Sequence, residues 1–258
     1  MLPQLLATRY VTPLREGGSL PGIVEADDDG TYVLKFRGAG QGLKVLVAEV
    51  LVAGLAALVD VPVPDLAVIS LDERIARYEA DEEVQDLLTA SVGTNLGIDF
   101  LPGALGYDGA HPPDADLAER ILWLDALTAN VDRTWSNPNL LVWHGRTWAI
   151  DHGAALYFHH SWPGRAPSPE RFAAQPFDAS THVLREVAGD VTVRHAELAA
   201  RLDADALARV VDDVPEEWLE TTPHLPDADA VRAAYRSMLA ARLGSPEAWL
   251  PRGAGASR

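Results

Sequence analysis

Three oxygen-bearing side chains stand close together in the middle of the chain: Asp132 and Asn137, separated as D-x-x-x-x-N, and Asp151 a short distance further on. That first spacing suits phosphoryl transfer to a hydroxyl: an aspartate accepts the proton of the attacking group, and an asparagine oxygen binds magnesium. Asp151 would supply the second magnesium ligand. Hard oxygen ligands of this kind match Mg²⁺, which keeps water and substrate phosphates in the rest of its shell. Asn139 is a rival ligand, but its place at the opening of a strand suits capping better, and the spacing favours Asn137.

Geometry for the trio comes from the intervening residues. Leu140 to Trp143 and Thr147 to Ile150 are short apolar runs joined through His144-Gly145, a pattern that predicts a tight hairpin and returns Asp151 to the neighbourhood of Asn137. A lone aspartate in such a loop would ordinarily be a cap or turn residue; the accompanying Asn137, hairpin and Asp151 favour the catalytic reading.

A second group of candidates lies near the N-terminus. Among 21 basic residues only Lys35 and Lys44 are lysines, the rest being arginine. Lys35 falls on a predicted strand, where an ammonium on a flexible stem could reach nucleotide phosphates. Lys44 begins a helix and reads as solvated. Glu49, an acid in the apolar run Lys44 to Val59, is either a surface group or the partner that holds Lys35. Gly17, Gly18 and Ser19 sit in a glycine-rich loop whose backbone N–H groups could cover phosphates, although the loop lacks a full G-x-G-x-x-G and could be a simple turn.

The elements that must position these groups are legible in outline. Strands are predicted at Leu5 to Thr12, Gly22 to Ala26, Tyr32 to Phe36 and Leu66 to Leu71, and helices at Lys44 to Val59 and Asp81 to Ala90. Gly93 to Gly103 reads as glycine-punctuated extended chain suited to a hinge. Helices follow at Asp114 to Ala129, Thr181 to Val187, His195 to Arg201, Ala204 to Val211 and Ala228 to Leu243. The expectation is an α+β, bilobal fold: a small antiparallel-sheet lobe over residues 1–98 and a larger helical lobe over 99–258.

Taken together, Glu16-Gly17-Gly18-Ser19, Tyr32-Val33-Leu34-Lys35-Phe36, Gly38-Ala39-Gly40-Gln41-Gly42, Asn95-Leu96-Gly97, Asn130-Val131-Asp132-Arg133, Asn137-Pro138-Asn139-Leu140-Leu141, Ile150-Asp151-His152-Gly153 and Pro215-Glu216-Glu217-Trp218-Leu219 resemble the short HipA-like kinases of actinobacterial type. The resemblance runs from about Leu5 to Leu250. It implies a protein-kinase-like fold, Lys35 on ATP, Asp132 as base, and Asn137 and Asp151 on Mg²⁺. It further implies a serine or threonine of a protein as the acceptor, since founding HipA proteins are protein kinases acting as toxins beside a DNA-binding antitoxin, with aminoacyl-tRNA synthetases among their targets. The extra N-terminal subdomain of those longer proteins is expected to be missing here, which argues against toxin action and an antitoxin partner. Trp135 stands where other members have a histidine, and Arg133 directly follows the base. Two alternatives stay open on the same residues: a small-molecule kinase of the aminoglycoside or choline type, and a nucleotide-binding pseudokinase.

Composition bounds the remaining classes. The chain has 258 residues, 48% hydrophobic, enough for a sizeable core. It contains no cysteine, which removes disulfides and thiolate chemistry. A net charge of -17 repels polyanions, so nucleic acid is not an expected direct ligand. The longest apolar run, Val45 to Val59, is too short to span a bilayer and is interrupted by Glu49, so no membrane partner and a cytoplasmic location are expected. His152, His159 and His160 lack the helical i, i+4 spacing of a zinc enzyme, and packing is the expected role. Trp218 and Trp249 read as core anchors.

Overall fold

The computed structural model describes residues 1–14, 20–40, 42–77 and 79–251; Gly17, Gly18 and Ser19 lie outside the described residues. The chain is α+β and divides into two compact units, one of Met1–Leu46 with Pro64–Pro102, the other of Val47–Val63 with Gly103–Arg258.

In the first unit β1 (Gln4–Pro13), β2 (Gly22–Ala26) and β3 (Thr31–Lys35) form a meander. After α1 (Leu43–Leu58) come β4 (Leu66–Leu71), α2 (Glu73–Ala76), α3 (Glu82–Ala90) and β5 (Gly93–Asp99). The strands run in the order β1-β2-β3-β5-β4. The neighbours within that order pair antiparallel, as the hairpin signals require. A parallel pairing of Gln4, Leu5 and Leu6 with Val68, Ile69 and Ser70 then closes the sheet into a barrel.

Alternate strand residues Val24, Leu34, Phe36, Ile69 and Leu71 fill the barrel-side core together with Val84 and Leu88 of α3. Asp81 starts α3 by accepting hydrogen bonds from Glu83 N (3.0 Å) and Val84 N (3.4 Å), and Glu82 and Glu83 complement the positive helix end. Gly93 to Asp99, expected as part of an extended hinge, is the inner strand β5, bonded to β3 on one side and β4 on the other. The glycines mislead because Gly97 serves close packing: a Cβ there would run into the Ile69 side chain. Buried Asn95 accepts from Arg37 N (2.9 Å) and donates to Ser91 O and Gly93 O (both 2.8 Å), pinning the corner before β5 to the loop after β3.

In the second unit β6 (Leu105–Gly106), β7 (Leu140–Trp143) and β8 (Arg146–Ala149) make a three-stranded sheet. Helices α4 (Ala115–Thr128), α5 (Pro169–Ala173), α6 (His195–Ala200), α7 (Ala204–Asp212), α8 (Ala228–Leu243) and α9 (Pro246–Trp249) supply most of the rest. The apolar run Ile121-Leu122-Trp123-Leu124 buries α4 on nearly every side. Trp218 and Trp249 are fully buried anchors, as expected.

Thr181 to Val187, expected as a helix, is instead a run of turns. Its backbone is claimed by long-range pairing: Thr134 forms a β-bridge with His182, and Val183 N donates to Arg133 O (3.1 Å). Among the described residues no helix is long and apolar enough to cross a membrane.

Candidate active site

The site is built on the end of α4. Ala129 takes a left-handed conformation (φ 55°) and stops the helix, sending the chain into Asn130-Val131-Asp132. Fully buried Asn130 donates from Nδ2 to Asp125 Oδ1 (3.0 Å) and accepts the Asp132 N–H on Oδ1 (3.2 Å). The backbone entering Asp132 is thereby tied to the last turn of α4.

Asp132 itself is half-buried. Its Oδ2 accepts from Asn137 Nδ2 (2.8 Å) and Asn139 Nδ2 (3.3 Å). Its Oδ1 takes no hydrogen bond from the described residues. The loop between these residues is drawn tight by Thr134, whose N–H donates to the carbonyls of Asp132 and Asn137 (both 3.0 Å). Because Asn137 gives its amide nitrogen to Asp132, its carbonyl oxygen is not used in that bond, and such an oxygen is a hard donor of the kind magnesium takes.

The hairpin forms as expected, with Leu140 opposite Ala149 and Trp143 opposite Arg146. His144 and Gly145 both adopt positive φ, 49° and 74°, the requirement of a type I′ turn. Ile150 N donates to Asn139 O (3.0 Å), so Asp151 leaves the sheet next to the strand that carries Asn139. Asp151 has φ 52°, an unfavourable conformation for a residue with a Cβ. Strain of this kind persists where the surroundings over-determine it, often at a working site. An amide oxygen and a carboxylate at one end of a hairpin are the correct donor chemistry for magnesium.

Beneath the loop lies a buried polar network that the sequence did not disclose. Arg133 is enclosed, and every N–H of its guanidinium is used. Nε and Nη2 donate to Asp125 (2.6 and 3.3 Å), Nη1 donates to Asn139 O and to Ile150 O (3.3 Å), and Nη2 also meets His152 Nδ1 at 3.3 Å. One side chain thus joins α4, the start of β7 and the end of β8, the three places that carry Asp132, Asn137 and Asp151. His182 accepts Leu184 N–H on Nδ1 (3.1 Å), which leaves the ring proton on Nε2 to donate to Asp125 Oδ2 (2.9 Å). Burial alone would push the Asp125 carboxyl up, but the Arg133 guanidinium and the His182 hydrogen bond hold it well below the usual carboxylate range. Asp125 was visible only as one acid inside the apolar run Ile121 to Leu127, and His182 had no local signal.

The other expected residues fall as follows. Lys35 is buried on β3 opposite Leu96, in the first unit. Glu49 is buried on α1 and belongs with Asp132, Asn137 and Asp151 to the second unit. His152 and His159 are buried, with His159 Nδ1 hydrogen-bonded to Tyr235 Oη at 2.9 Å.

A carboxylate held by two amides on a D-x-x-x-x-N loop, with a second aspartate just past the returning strand, has chemistry suited to phosphoryl transfer. A family model described as HipA-like kinase matches residues 8–250, and the chain belongs to that family. Membership implies ATP as the phosphoryl donor. No curated protein matches the chain. Among solved structures, that of a Helicobacter pylori proinflammatory kinase, CtkA, is similar over 95% of each chain, at 11% identity and a TM-score of 0.48.

Proposed function

We propose that this chain transfers the γ-phosphoryl group of ATP to a serine or threonine hydroxyl of a protein, with residues 1–98 as the nucleotide-covering lobe and 99–258 as the catalytic lobe. The observation that carries the reading is the Asp132 carboxylate, which has one oxygen fixed by Asn137 and Asn139 and the other left to accept a proton.

In this reading Asp132 Oδ1 orients the acceptor hydroxyl and takes its proton as the new P–O bond forms. Lys35 neutralises phosphate charge. Asn137 Oδ1 and the Asp151 carboxylate would hold magnesium, which when bound offsets charge on the β- and γ-oxygens. Arg133 keeps base and ligands in register without touching substrate. Positioning and electrostatics supply the rate.

The test is incubation with γ-labelled ATP and magnesium, alone and with cell extract, for the wild type and Asp132→Asn. Labelled protein bands that depend on Asp132 support the proposal, and the substitution should lower turnover by about two to four orders of magnitude while sparing ATP affinity. Label confined to small metabolites would make the chain a small-molecule kinase, and nucleotide binding without turnover would make it a pseudokinase.

A further inference from the structure

Tyr157, Phe158, Trp162 and Phe172 wall a half-open cavity of about 320 Å³ in the second unit, and Arg165 and Arg171 stand exposed at its edge. The wall is well built: Phe158 packs at a tilt against Phe172 and Trp162 at centroid distances of 4.5 and 5.6 Å.

Charge is the second feature. The chain carries a net charge of -17, so a surface arginine has many possible acidic neighbours. Arg74, Arg77, Arg120, Arg194 and Arg201 each have one. Arg165 and Arg171 have no carboxylate partner among the described residues, as Arg146 and Arg209 have none, but these two stand together at the edge of one aromatic cavity.

A third guanidinium lies beneath the floor. Arg242 is fully buried and donates to backbone carbonyls only, those of Ala126 (2.7 Å), Phe172 (2.6 Å) and Gln175 (2.9 Å), while its Cζ sits 4.4 Å from the Phe172 ring centroid. Burial lowers its pKa to about 10, and the opposing influence is Tyr157, a cavity residue, instead of a carboxylate. Two exposed cations without an acidic partner among the described residues thus edge one aromatic cavity, and a third guanidinium is buried behind its Phe172 wall.

The cavity is also tied to the catalytic loop. Its segment follows Asp151-His152-Gly153 directly, and Leu156 N donates to Thr128 O (2.8 Å) on the turn of α4 that leads to Asp132.

We infer that this cavity docks the protein acceptor, by receiving a segment in which an acidic residue neighbours a bulky apolar one. The inference rests on the protein-kinase reading given above. The apolar side chain enters between the rings, and the carboxylate meets Arg165 and Arg171. A cavity of this size accommodates one or two side chains, at the small end of ligand sites. The acidic surface elsewhere would repel a polyanion while leaving a short acidic peptide able to reach a local cationic edge.

Binding and transfer are measured separately. Fluorescein-labelled peptides with a central serine and a Glu-Phe, Lys-Phe or Gln-Ala pair are titrated by anisotropy into the nucleotide-free full chain, wild type and Arg165→Glu/Arg171→Glu. The same peptides are then offered with labelled ATP. The wild type should bind the Glu-Phe peptide roughly tenfold or more tightly than the others, and the charge-reversed variant should lose that preference at unchanged melting temperature and ATP affinity. Equal affinity for all three peptides, or a preference that survives charge reversal, overturns the inference, as does phenylacetate competing as tightly as the peptide. Selective binding without transfer would remove the kinase reading and leave the docking site standing. Transfer to peptides with no acidic-apolar preference would remove the docking site alone.

Discussion

Replacing Arg133 by methionine tests whether the catalytic loop is held by the buried network. The substitution keeps roughly the stem volume and deletes all five N–H donors. Asp125 is left with Asn130 and His182 but no cation, at 1% side-chain exposure. The carbonyls of Asn139 and Ile150 lose a donor as well. Breaking one side of a buried ion pair costs about 3–5 kcal/mol, and each under-satisfied carbonyl adds about 1–3 kcal/mol before water relieves part of it. A net loss of about 4–6 kcal/mol is expected, a large share of the ~5–15 kcal/mol that a domain has. Arg133→Lys retains the charge without the planar fork and should lose about half as much. Urea unfolding reads the effect as a shift in midpoint at constant slope. In an Asp125→Asn background the same Arg133→Met change should cost about 2 kcal/mol less, because no carboxylate is stranded. A shift below about 1 kcal/mol for Arg133→Met, or strict additivity with Asp125→Asn, would refute the claim that the guanidinium holds the loop.

Local pattern disclosed much of the fold, and the reason is physical: where short-range chemistry decides, the sequence is explicit. Leu66–Leu71 and Ala228–Leu243 form as the strand and helix that were expected, and His144-Gly145 makes the turn between β7 and β8 with the two positive φ angles its residue types suit. Asp132 and Asn137 were recognisable because their five-residue spacing is itself the geometry, and they do meet. What escaped was long-range. The parallel β1–β4 pairing joins Gln4 to Val68 with no local mark. Thr181 to Val187 has helical periodicity, yet the pairing of His182 with Thr134 takes its backbone. The network beneath the loop escaped for the same reason, since Asp125 and His182 lie 57 positions apart and neither needs the other until the chain folds. Glycine misled in the opposite direction: at Gly97 it answers a crowded neighbour, Ile69, where flexible punctuation was expected.

Asp151→Ala should weaken ATP binding in the presence of magnesium by about tenfold or more and leave metal-free nucleotide binding unchanged; equal losses by calorimetry with and without EDTA would remove Asp151 as a metal ligand. Gly38→Ala should destabilise the protein by about 1–3 kcal/mol, read as a lower melting temperature. Its new Cβ would stand 2.7 Å from the carbonyl carbon and oxygen of Ala90, backbone that cannot rotate away. The acid limb of stability should belong in part to Asp125, whose folded pKa is depressed. A depressed carboxylate stabilises fully above its unfolded value of about 3.9 and ceases to do so as pH falls through the lower folded value. The urea midpoint of the wild type should therefore exceed that of Asp125→Asn by a constant margin from neutrality down to about pH 4, and the margin should shrink only below it. Were the margin to collapse already between about pH 5 and 7, the Asp125 carboxylate would not be the group that titrates, and the Asp125–Arg133 pair would not be the network's anchor.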